Sequence, residues 1–181
     1  MASARPDVTV QPGRCWWCGA PTDSREHRLK ASDLRREYGK PPYTDLRTLT
    51  RFSGSDRHDF SGPNSSSVKF SPTLCVRCND TRSQPFDDAW DTLASYLAYH
   101  EAEVVSTLSL DWTDVFGSCW QERAADVERY VLKHAMCRVV DQLPGPVTVA
   151  GEYIDFLNGG ARPPAMEIDL AIDLGVVEMC A

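Results

Sequence analysis

Four of the seven cysteines form two C-x-x-C pairs, and this arrangement is typical of zinc ligation. Each pair presents two thiolates on one side of a tight turn, and zinc takes four such ligands in a tetrahedron at about 2.3 Å. The long segment between the pairs adds little closure cost, about 0.6 kcal/mol per doubling of its length. The predicted structural zinc ligands are Cys15, Cys18, Cys75 and Cys78. The alternative is unconnected buried thiols or a redox pair.

The remaining cysteines, Cys119, Cys137 and Cys180, stand singly. A lone cysteine on an apolar helical face usually behaves as a small buried hydrophobe, so we assign these three no chemistry. In a reducing cytoplasm, paired cysteines more often indicate metal ligation than a disulfide.

An acidic residue and a histidine lie between the two cysteine pairs, and an asparagine follows the last cysteine. Closing a zinc site would draw Glu26, His27 and Asn79 towards one another. Phosphodiester hydrolysis uses a divalent cation held by oxygen ligands and a base whose pKa is near neutral. Glu26 and Asn79 offer the oxygens, and His27 offers the base.

These residues resemble the HNH (His-Asn-His) endonucleases of ββα-metal fold, in particular the zinc-stapled type of phage recombination endonuclease VII. The shared pattern is C-x-x-C, acidic-His, then C-x-x-C-Asn, within residues 15–91. The resemblance implies a structural zinc, a catalytic Mg²⁺ or Mn²⁺ bound by Glu26 and Asn79, water activation by His27, and DNA as substrate. Glu26 stands where Asp is commoner, and the middle motif residue has two candidates, Asn64 and His58.

Arg82 lies three residues after Asn79, so on a helix it would share a face with that residue. Its guanidinium could hold a scissile phosphate through two parallel hydrogen bonds, and the alternative is a solvated surface arginine. Gln84 and Asp87 are weaker candidates, since Asp87 could simply cap the helix that follows Pro85.

The net charge of −7 is unevenly distributed along the chain. Residues 1–84 hold fourteen Lys or Arg against nine Asp or Glu, whereas residues 85–181 hold five against seventeen. Six cations cluster near His27: Arg25, Arg28, Lys30, Arg35, Arg36 and Lys40. They predict a DNA-binding face, because phosphates attract such clusters. The acidic part could buttress the nuclease or bind a protein partner.

Local patterns predict the elements that position these residues. Residues 1–14 read as a flexible arm, 15–91 as the nuclease module with an inserted loop at 41–67, and 92–181 as a mainly helical region. Apolar spacing of three to four predicts helices within 86–97 and 124–143. Shorter predicted elements are strands at 26–29, 68–70 and 166–174, and helices at 33–38, capped by Ser32, and 147–157.

The sequence therefore predicts an α+β protein, a zinc-stapled ββα-metal nuclease module followed by a mainly α-helical C-terminal region. The predicted function is metal-dependent hydrolysis of DNA phosphodiester bonds. The alternative is a non-catalytic zinc-binding module that binds nucleic acid or another protein. No window holds the roughly 18 uninterrupted apolar residues of a membrane helix, and no signal peptide is recognisable, so a cytoplasmic location without membrane attachment is expected.

Overall fold

The computed structural model of the protein describes residues 5–43, 49–53 and 55–168. Its helices are α1 (Ala31–Tyr38), α2 (Gln84–Tyr99), α3 (Glu101–Thr107), α4 (Trp112–Phe116), α5 (Trp120–Gln142) and α6 (Gly151–Leu157). Its strands are β1 (Val8–Val10), β2 (Leu49–Ser53), β3 (Asp56–Phe60) and β4 (Val147–Val149). This mixture of helices with two small antiparallel sheets is the predicted α+β class. None of the described helices has the length and apolar character needed to cross a membrane.

The two long helices, α2 and α5, pack against each other and confirm the prediction made from apolar spacing. Leu93 and Val127 are buried between them. Trp90 stacks on Tyr130 with ring centroids 4.8 Å apart. Pro85 lies in the first turn of α2, where its missing N–H costs no intrahelical bond, so it begins this helix and does not interrupt it.

The first sheet pairs β1 with β4, with Val8 opposite Val149 and Val10 opposite Val147. The prediction of a flexible arm at 1–14 is therefore wrong for Val8–Val10, because Val10 is buried in the main core. The predicted helix at 147–157 is wrong in its first half, which forms β4, and helical structure begins at Gly151. Two short valine-rich segments far apart in sequence form this sheet. Their pairing cannot be predicted from local sequence patterns.

The second sheet is the hairpin of β2 and β3, in which Leu49 lies opposite Phe60. It occupies part of the segment predicted as an inserted loop at 41–67, so that prediction is wrong there. The physical reason is burial, since Phe60 packs with Leu34, Tyr43 and Val68 in a small second core. Residues 44–48 and 54 of the insertion lie outside the described residues.

Helix α1 begins at Ala31, earlier than predicted, so Ser32 lies inside the helix and does not cap it. The Ser32 hydroxyl donates a hydrogen bond to Oδ1 of Asp91 at 2.6 Å. The helix ends before Gly39, as predicted, and the φ of Gly39 is 79°. Helix α1 is thereby tied to α2.

Two extended segments place the central residues of the predicted site. Arg28 donates its backbone N–H to Val68 at 2.7 Å, and Phe70 donates to Glu26 at 2.9 Å. These bonds form an isolated antiparallel bridge between His27 and Lys69. The bridge lies within the strands predicted at 26–29 and 68–70, but it is shorter than either. A π-helical turn, Arg77–Arg82, then leads into α2.

The main core contains residues from both predicted parts of the chain, with Trp16 and Cys78 packed in the same cluster as Tyr130, Met136 and Phe156. A division at residue 91 would cut α2 in the middle. The described residues therefore share one main core across the predicted boundary. Residues 166–168 form no strand, and the rest of the predicted strand at 166–174 lies outside the described residues.

Candidate functional site

The four predicted zinc ligands come together as a cluster, and their Sγ atoms all lie within 4.8 Å of one another. Three of the cysteines are buried and Cys18 is exposed. Gly19 makes the first turn possible, because its φ of 78° is unfavourable for other residues and its N–H bonds the Cys15 carbonyl at 2.8 Å. Asn79 closes the second turn with an N–H bond to the Cys75 carbonyl at 2.9 Å. The cluster could hold a metal such as zinc.

One cysteine of the cluster, Cys15, is favoured as a thiolate. The pKa of Cys15 is lowered to about 5, chiefly because the Cys78 thiol donates a hydrogen bond to it, with help from nearby backbone amides. The pKa of Cys18 is raised, chiefly by burial, and that of Cys78 is raised, chiefly by its hydrogen bond to Cys15. Thiolate is the form that binds zinc, so the low pKa favours ligation at Cys15. Among the other cysteines, Cys137 is buried in the main core and Cys119 is exposed, while Cys180 lies outside the described residues.

Arg82 lies beside this cluster. Its guanidinium donates to Sγ of Cys78 at 3.6 Å and lies 4.5 Å from the ring centroid of Trp17. It also donates a hydrogen bond to the side chain of Asn158. Arg82 is thus engaged with the cysteine cluster, where its charge would stabilise metal-bound thiolates, and the structure does not direct it to a phosphate site.

Glu26 is buried, and its carboxylate forms an ion pair with Lys133 of α5. Nζ of Lys133 lies 3.2 Å from Oε2 of Glu26, 3.2 Å from Oδ2 of Asp87 and 3.2 Å from Oγ of Ser83. The Lys133 side chain is 0% exposed. Asp87 lies inside the first turn of α2 and accepts hydrogen bonds there. The residue at the N-cap of α2 is Ser83, so Asp87 does not cap the helix.

Sequence reasoning missed Lys133, although one signal for it exists. It lies three residues after Tyr130 and four before Cys137, so it shares the buried apolar face of α5. A lysine on such a face requires a partner of opposite charge, because a buried unpaired ammonium group is very unfavourable. The identity of that partner is not visible in the sequence.

A second lysine extends the network between the extended segment and α2. Nζ of Lys30 lies 3.3 Å from Oδ1 of Asp87 and 3.2 Å from Oδ2 of Asp91. Burial raises the pKa of Glu26 against the opposing charge of Lys133. Burial also acts to lower the pKa of Lys133, but Glu26 and Asp87 more than offset it and raise that pKa. The network therefore holds a charged lysine between two acidic residues.

Asn79 lies on the same side of the extended segment as Glu26. Its Nδ2 donates to Oγ of Ser24 at 2.9 Å, and Ser24 and Glu26 are two residues apart along an extended chain, where alternate side chains share a face. Oδ1 of Asn79 is buried and has no hydrogen-bond partner among the described residues.

His27 is directed to the opposite face of the same segment. Nε2 of His27 lies 3.1 Å from the carbonyl oxygen of Pro63, which can only accept a hydrogen bond. The pKa of His27 is lowered first by burial and then by the positive charge of Lys69, with a further contribution from Arg35. The structure therefore brings Glu26 and Asn79 to one face and places His27 on the other.

The predicted divalent-cation ligands do not fit a cation in this arrangement. The Glu26 and Asp87 carboxylates already share the ammonium group of Lys133, which lies 3.2 Å from each of them. The Lys133 side chain is completely buried. A divalent cation at Glu26 would have to displace that ammonium group. Four cysteines fit zinc by donor type and spacing, whereas Glu26 and Asn79 do not fit Mg²⁺ or Mn²⁺.

The predicted phosphate-binding cations are largely engaged within the protein. Arg25 donates to the Phe70 carbonyl at 2.9 Å, Arg36 bonds Asp33 at 2.7 Å, and Arg28 pairs with Asp141. Lys30 bonds Asp87 and Asp91, as described above. Arg35 and Lys40 are exposed. Fewer of the six cations near His27 are thus free to contact a phosphate backbone than the sequence predicts.

The remaining candidates lie away from these groups or on the surface. His58 is exposed on β3, Asn64 is exposed, and Gln84 bonds the neighbouring Asp88 at 2.7 Å. His134 is partly buried next to Phe70, at 5.3 Å between ring centroids, and its Nδ1 has no partner among the described residues. Neither Asn64 nor His58 is identified as the middle motif residue by its position.

An open cavity of about 860 Å³ adjoins the lysine network between α1, α2, α5 and the β2–β3 hairpin. Its lining is largely apolar and includes Trp90, Tyr130 and His134, with Arg138 and Lys30 among its charged residues. The cavity therefore combines aromatic walls with a partly charged lining. His27 is not part of that lining.

These features define the class of protein: an α+β chain with a four-cysteine cluster that could hold a metal such as zinc, joined to a buried lysine–carboxylate network. No family model matches the chain. No curated protein and no solved structure matches it either.

Proposed function

We propose that the protein hydrolyses phosphodiester bonds of nucleic acid, with DNA as the substrate, on a scaffold held together by zinc at the four cysteines. The observation that carries this proposal is the hydrogen bond between Nε2 of His27 and the Pro63 carbonyl oxygen. That bond orients the imidazole and determines which of its nitrogens can accept a proton.

His27 has the properties of a general base. Its Nε2 must carry the hydrogen that the Pro63 carbonyl accepts, so a neutral ring has its lone pair on Nδ1. A lowered pKa keeps the ring neutral at pH 7. In the proposed step the water oxygen bonds to phosphorus and its proton passes to Nδ1. The bond from phosphorus to the leaving sugar oxygen breaks, and that oxygen keeps the electron pair and takes a proton from solvent water.

The charges around His27 favour an anionic substrate. Lys69 and Arg35 both lower the pKa of His27 through their positive charge, so both lie within electrostatic reach of the imidazole. Their field would attract a phosphodiester and stabilise the charge that develops on its oxygens during hydrolysis. We assign phosphate binding to these two residues, and Arg82 has no part in it.

The order of the local elements also supports the proposal. Two antiparallel segments, joined at the bridges Ser24 to Leu74 and His27 to Lys69, precede the helical turn at Arg77–Arg82 and then α2. This order of two extended segments and a helix parallels the order strand, strand, helix of the ββα-metal nucleases that the sequence resembles. A zinc ion at the cysteines would fasten the two segments to the helix.

The proposal assigns no step to Mg²⁺ or Mn²⁺ at Glu26 and Asn79, because Lys133 occupies the Glu26 carboxylate. The same observation favours a second candidate function, a non-catalytic zinc module that binds nucleic acid or another protein. In that case the polar network would be purely structural.

Incubation with supercoiled plasmid distinguishes the two functions. Wild-type protein, with zinc content and thermal unfolding checked, is tested with Mg²⁺, with Mn²⁺ and with EDTA. Because no step is assigned to Mg²⁺ or Mn²⁺, we expect nicking by the zinc-loaded wild type in all three conditions. We expect loss of nicking in His27→Ala and no loss in His58→Ala, which removes an exposed histidine. Equal nicking by His27→Ala, or none by folded wild-type protein, contradicts hydrolysis at His27. Plasmid binding without nicking would then support the non-catalytic module.

A further inference from the structure

We infer that Lys133 is a built-in cation that takes the place of a divalent metal ion between Glu26 and Asp87, so that this carboxylate pair binds no divalent cation in the native protein. The inference concerns the buried network and does not depend on the proposed hydrolysis. It assigns a positive charge to the Lys133 side chain next to Glu26, one of the two residues, with Asn79, that the sequence pattern predicts as ligands of a metal ion.

The hydrogen-bonding capacity of Lys133 is used completely. An ammonium group has three N–H donors and no acceptor. Three acceptor groups surround it, namely the carboxylates of Glu26 and Asp87 and the hydroxyl of Ser83, each at 3.2 Å from Nζ. The ring of Tyr130 lies on a further side, with its centroid 5.5 Å from Nζ.

The residues around Lys133 hold it in place from three separate elements. Glu26 belongs to the extended segment bridged to Lys69, Ser83 and Asp87 to the start of α2, and Lys133 to the middle of α5. The Ser83 hydroxyl can donate its hydrogen to the Asn79 carbonyl or to Oδ2 of Asp87, and in either case its lone pairs face the ammonium group. The lysine therefore joins elements that a bound metal ion would otherwise have to join.

The pairing of the carboxylates with lysines and the lack of space argue against a divalent cation beside Lys133. Lys133 contacts Glu26 and Asp87, and Lys30 contacts Asp87 and Asp91, so each of these three carboxylates already has a positive partner. Mg²⁺ demands oxygen ligands at about 2.0–2.1 Å and usually retains several water molecules. The Lys133 side chain is 0% exposed, so the space next to Glu26 is filled and has no room for those water molecules.

Titration of the zinc-loaded 181-residue chain with Mn²⁺ tests the inference, with bound Mn²⁺ measured by the loss of the free-ion electron paramagnetic resonance signal. We expect wild type and Glu26→Gln to bind Mn²⁺ equally weakly. One Mn²⁺ per chain in the wild type that is lost in Glu26→Gln would overturn the inference. The readout does not depend on nuclease activity, so failure of the proposed hydrolysis and failure of this inference are distinguishable.

A second variant tests the lysine directly. Lys133→Met leaves the Glu26 and Asp87 carboxylates facing each other without the ammonium group, and we expect it to bind Mn²⁺ at least about tenfold more tightly than wild type. Lys30→Met, which removes the more exposed lysine, is the matched control and should gain less. Binding by Lys133→Met no tighter than by wild type contradicts the inference. If Lys133→Met does not fold, the wild-type titration decides alone.

Discussion

Nζ of Lys133, in the middle of α5, lies 3.2 Å from Oε2 of Glu26, in the extended segment beside the cysteine cluster. The two residues belong to different parts of the predicted chain organisation, and both are buried. Their contact joins the proposed nuclease module to the C-terminal helices. A change in either residue should therefore affect the stability of the whole fold.

Removing the ammonium group should destabilise the protein strongly. Lys133→Met leaves buried carboxylates without their partner, and breaking a buried ion pair in this way costs about 3–5 kcal/mol. Urea unfolding followed by circular dichroism measures the change. Adding Glu26→Gln to the variant should recover part of the loss, whereas the exposed Arg138→Met should change stability little. A loss from Lys133→Met no larger than that from Arg138→Met would contradict the assignment.

Cys75→Ser should abolish stoichiometric zinc binding and lower the unfolding temperature. A zinc ion at the cluster would couple the two cysteine turns, and a site with three thiolates would bind the ion less tightly. Metal analysis of the purified protein and thermal unfolding provide the measurements. Cys119→Ser, which removes an exposed cysteine outside the cluster, is the matched control. Full zinc content in Cys75→Ser would show that the cluster is not the zinc site.

Arg82→Met should weaken metal retention without abolishing the fold. The substitution removes the donor to Cys78 Sγ and the cation above Trp17, both of which favour charged thiolates. The rate of zinc release to a chromogenic chelator should rise in this variant. Arg77→Met, one turn earlier and exposed, should release zinc at the wild-type rate. Equal rates in both variants would leave Arg82 without a role at the cluster.

Gly151→Ala should detach the N-terminal segment from the core. A Cβ at Gly151 would lie 1.9 Å from the Arg5 carbonyl oxygen, a distance at which the backbone must move. The shift would disturb the adjoining pairing of β1 with β4, so trypsin should cleave the variant faster after Arg14. Gly145→Ala, where a Cβ meets nothing within 4 Å, serves as the control. Unchanged proteolysis of Gly151→Ala would argue against the close approach.

Acidification should destabilise the protein partly through His27 and His134. Burial lowers the pKa of each below the ordinary value of 6.5. Between the lowered pKa and 6.5 the unfolded chain binds more protons, so the free energy of unfolding rises with pH across that window and this contribution is constant above it. Urea unfolding between pH 5 and about 8 should reveal the slope.

The variant His27→Asn with His134→Asn removes both groups and should flatten that part of the pH profile. His58→Asn, which changes an exposed histidine, should leave the slope as it is in the wild type. A slope in the double variant equal to that of wild type would mean that neither histidine is held neutral by burial.

The sequence by itself determined the features that depend on local spacing. Each C-x-x-C turn brings its own two sulfurs to one side because the turn is short. The ligand type is the same at all four positions, which predicts that the two pairs meet in one cluster, as they do. The apolar period of three to four residues located α2 and α5, because one face of each helix must be buried.

The tertiary structure alone decided where the side chains of the candidate site point. Adjacent residues of an extended segment face opposite sides, so Glu26 meets Lys133 while His27 meets Pro63. The partner of Glu26 lies 107 positions away in the chain, and β1 pairs with a strand almost 140 positions away. Contacts between residues more than 100 positions apart depend on packing and charge pairing in the folded core. Residue spacing along the chain does not predict them.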